Sequence, residues 1–120
     1  PPSQAPADLP VFAQAAMRER FGGDMELEQV ALESFQQTTP ALLAKLQAAL
    51  EQGQRAQATM LAHSAKGAGS MICAQRYAGI AATLEERGPS APIEELLTLL
   101  AQLRVAFREF VGVLEGLRGT

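Results

Sequence analysis

The chain is short of most of what an enzyme centre is built from. Among its 120 residues there is one histidine, His63, one cysteine, Cys73, and no tryptophan. A lone cysteine cannot form an internal disulfide, which fits a reducing compartment. One histidine and one cysteine cannot build a typical zinc site, so no metal or cofactor is expected on the chain itself. Aromatics make up only 5% of the residues, so leucine and alanine must fill the core. No apolar run approaches the roughly 20 residues needed to cross a bilayer, and the first residues lack the basic-then-hydrophobic order of a signal peptide. No direct membrane contact is therefore expected, and a cytoplasmic location is the default. Positive charge is scarce as well: 10 Lys and Arg against 13 Asp and Glu leave a net charge of −3, with no broad basic field for nucleic acid. The expected partner is protein. No nucleophile elbow, phosphate loop or ATP-binding pattern occurs, so the chain is not read as an autonomous enzyme. The neighbouring carboxylates Glu85-Glu86 and Glu94-Glu95 sit at expected helix ends, where solvation and the helix dipole account for them.

What is present is helix-forming sequence. Hydrophobic residues make up 48% and charged residues 19%, enough to bury the core of one domain. Ala, Leu, Gln, Glu and Arg dominate, and strand-like runs of Val, Ile and Thr are missing. The fold class is therefore all-α. Residues 1–8 (Pro1-Pro2-Ser3-Gln4-Ala5-Pro6-Ala7-Asp8) read as a linker and residues 9–118 as the domain. A short helix is expected over 9–21, capped by Asp8 and stopped by Gly22-Gly23. Asp24 can cap the next helix, 24–51, whose apolar positions Leu27, Val30, Ala31, Phe35, Thr38, Leu42, Leu46, Ala49 and Leu50 keep phase across Pro40, arguing for one helix. Then come helices over 54–71, with Ala58, Leu61, Ala62, Ala65, Gly69 and Ile72 inward, and over 75–87, with Tyr77, Ile80, Ala81 and Leu84 inward. A last helix, capped by Ser90, carries the stripe Ile93, Leu96, Leu97, Leu100, Leu103, Phe107, Phe110, Val111 and Leu114. Short connections between long amphipathic helices imply an antiparallel four-helix bundle with the short N-terminal helix across one end.

His63 stands on the outer face of the third of these helices. At about 100° per residue, Ala56, Thr59, Met60, Lys66, Gly67 and Ser70 lie within roughly 60° of it, while Leu61, Ala65 and Ile72 lie nearly opposite. The imidazole therefore points to water. In most helical proteins a lone surface histidine is simply solvated, and a lone lysine beside it likewise. A mid-helix glycine such as Gly67 costs about 1 kcal/mol against alanine, so either steric access or tight packing must explain it.

The run His63-Ser64-Ala65-Lys66-Gly67 resembles the H-x-x-K-G signature of histidine-containing phosphotransfer (HPt) domains, the four-helix carriers of two-component phosphorelays. The resemblance extends to Phe35 and Pro40, to Leu46 and Ala49-Leu50, to Ala62 and to Leu84-Glu85, over roughly residues 9–117. It implies that His63 accepts a phosphoryl group from a receiver-domain aspartyl phosphate and passes it to another receiver aspartate. Lys66 would compensate phosphate charge, Gly67 would leave room for the docking receiver, and Ser70 would contact a phosphate oxygen. The docking face would hold Ala56, Thr59, Met60, His63, Gly67 and Ser70. Mg²⁺ would be supplied by the partner response-regulator receiver. The isolated domain is expected to be monomeric, and its context is expected to be the C-terminal module of a bacterial hybrid sensor kinase, the cytoplasmic part of a membrane-bound protein.

Two positions depart from the family pattern. Ala65 stands where a bulkier aliphatic residue is usual, and Cys73 stands where glycine usually follows the helix, so the helix is expected to end differently here. A second reading, from another class, is a helical interaction module that sequesters a non-receiver partner, with His63 incidental. A small hydrolase or redox protein using His63 or Cys73 would need a concave pocket that a packed bundle with an exposed histidine does not offer.

Overall fold

In the computed structural model, which describes residues 5–118, a 3₁₀ turn (Pro6–Asp8) is followed by α1 (Gln14–Arg20), α2 (Met25–Glu51), α3 (Arg55–Met71), α4 (Gln75–Arg87) and α5 (Ile93–Arg118). The helices α2 to α5 form the expected antiparallel bundle: α3 lies between α2 and α4, and α5 packs on both α4 and α2. The short α1 lies against α2. No strand occurs among the described residues.

Local chemistry explains most of the boundaries. Asp24 caps α2, its Oδ1 accepting from the Leu27 N–H at 3.0 Å, and Glu26 and Glu28 occupy the first turn, at the positive end of the dipole. The helix runs through Pro40. That proline has no N–H to offer the Gln36 carbonyl, and the Thr38 and Thr39 hydroxyls donate to the neighbouring carbonyls of Ser34 and Phe35 at 2.8 and 2.6 Å.

Helices α2 and α3 end alike. In α2 the left-handed residue past the cap is Gly53, with φ 70°, and in α3 it is Cys73, with φ 59°. At the end of α3 the Cys73 N–H donates to Ser70 O at 3.2 Å and the Ala74 N–H to Gly69 O at 2.9 Å. This is the Schellman arrangement. The expectation that cysteine would change the helix end is thus corrected: a non-glycine residue takes the glycine conformation, which costs about 1–2 kcal/mol. The two hydrogen bonds and the burial of the cysteine side chain offset that cost.

Two further expectations are revised. The N-terminal helix starts at Gln14 rather than at residue 9, because Pro10 drives Leu9 to an extended conformation, φ −77° and ψ 148°. Residues 9–13 instead bond to the α3–α4 corner: Ala13 N donates to Cys73 O, Arg76 N to Pro10 O, and Arg76 Nε to Leu9 O. Asp8 belongs to the 3₁₀ turn and does not cap α1. Residues 5–8 of the expected linker lie partly in that turn, which packs on α4; residues 1–4 are outside the described part.

The second revision concerns α2, whose buried face is turned by about one residue. Glu28, Leu32, Thr39 and Leu43 are buried with Phe35, Leu46, Ala49 and Leu50, whereas Leu27 and Val30 are 50% and 62% exposed and Thr38 is exposed. Ala31 and Leu42 are half-buried at the edge. Two apolar series with the same spacing run side by side along this helix, and the positions of α3 and α5 decide between them.

The inward positions expected on α3, α4 and α5 are buried or half-buried, with Leu61 at the margin. The few aromatics gather instead of scattering. Phe35 stacks edge-on against Tyr77, Phe107 and Phe110 at centroid distances of 5.1, 5.6 and 5.2 Å, and Phe12 meets Phe110 at 5.3 Å. Burial pushes the Tyr77 hydroxyl up to about 12, and its oxygen has no hydrogen-bond partner in acceptable geometry.

Against this ring α3 presents Ala58, Ala62, Ala65 and Gly69, all buried. A Cβ on Gly69 would stand 2.6 Å from Tyr77 Cδ1. Gly69→Ala should therefore lower the urea midpoint: overpacking costs about 1–3 kcal/mol, against roughly 1 kcal/mol returned by helix propensity. Tyr77→Phe should leave the stability unchanged or raise it, since it deletes a buried hydroxyl whose one neighbouring polar group, Thr39, is poorly placed to bond it; a loss of more than about 1 kcal/mol would show that the two are paired.

Candidate functional site

The exposed face of α3 carries the singled-out residues in the expected order. The His63 side chain is 67% exposed and that of Lys66 36%. Gly67, on the same face, borders open solvent: a Cβ built on it meets nothing within 4 Å. Its lack of a side chain therefore has no packing explanation, in contrast to Gly69. Ala56, Met60 and Ser70 are exposed on the same face. Thr59 is not free in the same way. Its hydroxyl donates to Arg55 O at 2.8 Å, and its side chain abuts Gly88 at the end of α4, where a Cβ would come within 2.4 Å of Oγ1.

The residue that organises this face comes from α4. Glu85 reaches across so that Oε2 lies 2.6 Å from His63 Nδ1 while Oε1 lies 2.6 Å from Lys66 Nζ. The Lys66 hydrogen bond holds the Glu85 carboxyl below its ordinary value; partial desolvation opposes this, and the His63 hydrogen bond and charge reinforce it. An ionised carboxylate can only accept, so Nδ1 carries the hydrogen and donates it. In the neutral ring the lone pair is then on Nε2, turned away from Glu85. The arrangement is an imidazole held through Nδ1, with Nε2 on the side away from Glu85 and a cation one helical turn away.

Glu85, expected from its position to be half of a solvated pair at a helix end, instead bridges two side chains of α3. Its signal lay in the spacing: Ala78, Ala81 and Glu85 follow one another at helical intervals along the flank of α4 that adjoins the inward positions. Only the placement of α3 against that flank turns this spacing into a contact. Glu95, also expected to be solvated, has its carboxylate paired with Arg87. Ser70 lies at the far end of the face, where its carbonyl accepts from Arg20 of α1.

Among the described residues no group of His, Cys, Asp and Glu could hold a metal ion, and no helix is long and apolar enough to cross a membrane. The family model of the Hpt domain matches residues 30–110, more than half of the chain and a span that includes His63, Lys66 and Glu85. No curated protein and no solved structure gives a significant match.

Two measurements check the Glu85 bridge. Because the carboxyl is held low, the stability it lends is present above its ordinary value and is lost as pH falls through the lower folded value. A ¹³C carboxyl titration should place the Glu85 midpoint below that of an unpaired glutamate, and Lys66→Met should move it up; an unshifted midpoint in the wild type would break the bridge. Imidazole ¹⁵N shifts should report the Nδ1–H tautomer of His63 in the wild type and a shift toward Nε2–H in Glu85→Ala.

Proposed function

That this chain belongs to the Hpt domain family, the histidine phosphotransfer carriers of phosphorelays, is the premise from which we propose its function: His63 takes a phosphoryl group from the aspartyl phosphate of a response-regulator receiver domain and gives it to the aspartate of another. The observation that supports this most directly is the outward Nε2 of an imidazole whose Nδ1 is tied to Glu85 at 2.6 Å. The Nε2 lone pair attacks phosphorus, the bond from phosphorus to the aspartate oxygen breaks, and the carboxylate leaves with the bonding pair. The ring, still protonated on Nδ1, gains positive charge that the Glu85 carboxylate stabilises.

Once phosphorylated, the site holds a dianionic group close to the Glu85 carboxylate. Lys66 can then exchange part of its contact with Glu85 for the phosphate, placing a cation between two like charges. Gly67 leaves the approach to Nε2 unobstructed, and Ser70, whose hydroxyl has no protein partner among the described residues, is within the same face for a phosphate oxygen or the partner. The receiver brings the Mg²⁺ that neutralises the acyl phosphate; the chain has no need of ATP. As a carrier and not a catalyst, it fits a monomeric module of a cytoplasmic signalling chain, such as the last domain of a bacterial hybrid sensor kinase.

Incubation with a phosphorylated receiver and Mg²⁺ should place acid-labile, base-stable phosphate on the wild type and none on His63→Gln. Labelling of His63→Gln, or none of the wild type across a panel of receivers, would favour an interaction module in which His63 is incidental. Gly67→Ala should stabilise the fold by about 0.5–1 kcal/mol, and Gly67→Leu should fold yet slow transfer by obstructing the receiver. Undiminished transfer in Gly67→Leu would remove the steric role.

A further inference from the structure

Arg20, the last residue of α1, ends beside this face. Its Nη1 donates to two carbonyls at the end of α3, Ser70 O at 2.5 Å and Met71 O at 3.1 Å. Both belong to the last turn, whose carbonyls have no partner within the helix, so Arg20 closes α3. These two bonds use both Nη1 hydrogens. Nε and Nη2, which together form the side-on edge of the guanidinium, have no protein acceptor among the described residues, and Arg20 takes part in none of the ion pairs found there. Two parallel N–H groups on a planar cation have the geometry that takes a carboxylate bidentately. Because Nη1 is anchored, much of the side-chain freedom such binding would remove is already absent in the free protein.

The surroundings point to the same ligand chemistry. Arg20, Lys66, Ser70, Gln75 and Gly79 line one cleft between α1, α3 and α4, and no carboxylate is among its lining residues. Lys66 is already neutralised by Glu85, so the cleft's uncompensated charge is that of Arg20. Ser70 follows His63 by seven residues, about 10 Å along the helix at 1.5 Å per residue, on the same face. A partner footprint of roughly 800 Å² centred on His63 reaches past it. A receiver that holds Mg²⁺ must carry carboxylates around its own reacting aspartate; these bind the metal at the centre of the contact, and the acidic field around them favours a cation at the rim of this domain's face.

We infer that Arg20 is a docking residue for the receiver, its Nε/Nη2 edge taking a partner carboxylate at the rim of the contact centred on His63. This rests on the phosphocarrier reading. The test is the rate of transfer from a phosphorylated receiver as a function of the concentration of this domain, for the wild type, Arg20→Gln and Arg20→Lys, at low and physiological salt. Arg20→Gln should raise KM about three- to five-fold with kcat unchanged, and the difference should shrink as salt rises. Arg20→Lys, which keeps the charge and loses the fork, should fall between. An unchanged KM in Arg20→Gln overturns the inference. So does a lower kcat accompanied by a lower thermal midpoint and faster amide exchange at the end of α3, since Arg20 would then only close that helix; Arg20→Lys, able to hold one of the two carbonyls, separates the cases if Arg20→Gln unfolds. Failure of the wild type to take phosphate from any receiver would sink the phosphocarrier reading and this inference with it, whereas transfer to the wild type with an unmoved KM in Arg20→Gln would sink this inference alone.

Discussion

The close approach of α3 to α4 is the constraint on which the rest of this molecule depends. It exists because α3 buries Ala58, Ala62, Ala65 and Gly69 where most helices would bury leucine, and because Gly88 lets the end of α4 come up to Thr59. With no bulk between the backbones, a single glutamate side chain on α4 can reach two positions one turn apart on the outer face of α3. Larger residues on this seam would hold the helices apart, and Glu85 would end in water. The packing of the core and the electrostatics of the surface are thus one design: small residues inside set the distance at which polar residues outside can meet.

The Glu85 bridge also gives the exposed histidine properties that an isolated surface imidazole lacks. A free side chain on a helix samples several rotamers and both tautomers. Here one nitrogen is committed to a carboxylate kept ionised by the adjacent lysine, so the other is committed to solvent. The carboxylate faces the lysine with one oxygen and the ring with the other. Gly67, with no side chain, lies one turn from His63, and its openness is a property of the surface and not of the core. Stability is conceded at this position, since alanine would be the better helix former.

The extra helix is attached to the same end of the molecule. Ala13 bonds to the Cys73 carbonyl, Arg76 bonds to Leu9 and Pro10, and Arg20 bonds to the last carbonyls of α3. All three join the N-terminal segment to the corner between α3 and α4. The left-handed Cys73 helps to set that corner: its conformation turns the chain so that its own carbonyl faces the start of α1. A strained residue is retained where two connections converge, and burial of its side chain adds to what holds it there.

By itself the sequence determined the helices, their number and nearly all their limits, because these follow from local rules: Asp24 as a cap, Gly53 as a stop, propensity and a 3-to-4 spacing that a single chain displays openly. It also determined that His63, Lys66 and Gly67 share one outward face, since that is fixed by 100° per residue. The tertiary structure decided what depends on a second element. It selected Leu32, Thr39 and Leu43 over Leu27, Val30 and Thr38 as the buried series of α2, since both have the same period and only the neighbouring helices distinguish them. It let residues 9–13 bond to the α3–α4 corner in place of continuing a helix that Pro10 had already weakened. It gave Glu85 and Arg20 their partners, 22 and 50 residues away in the chain, because a charge at a helix end looks the same in sequence whether water or another helix lies in front of it.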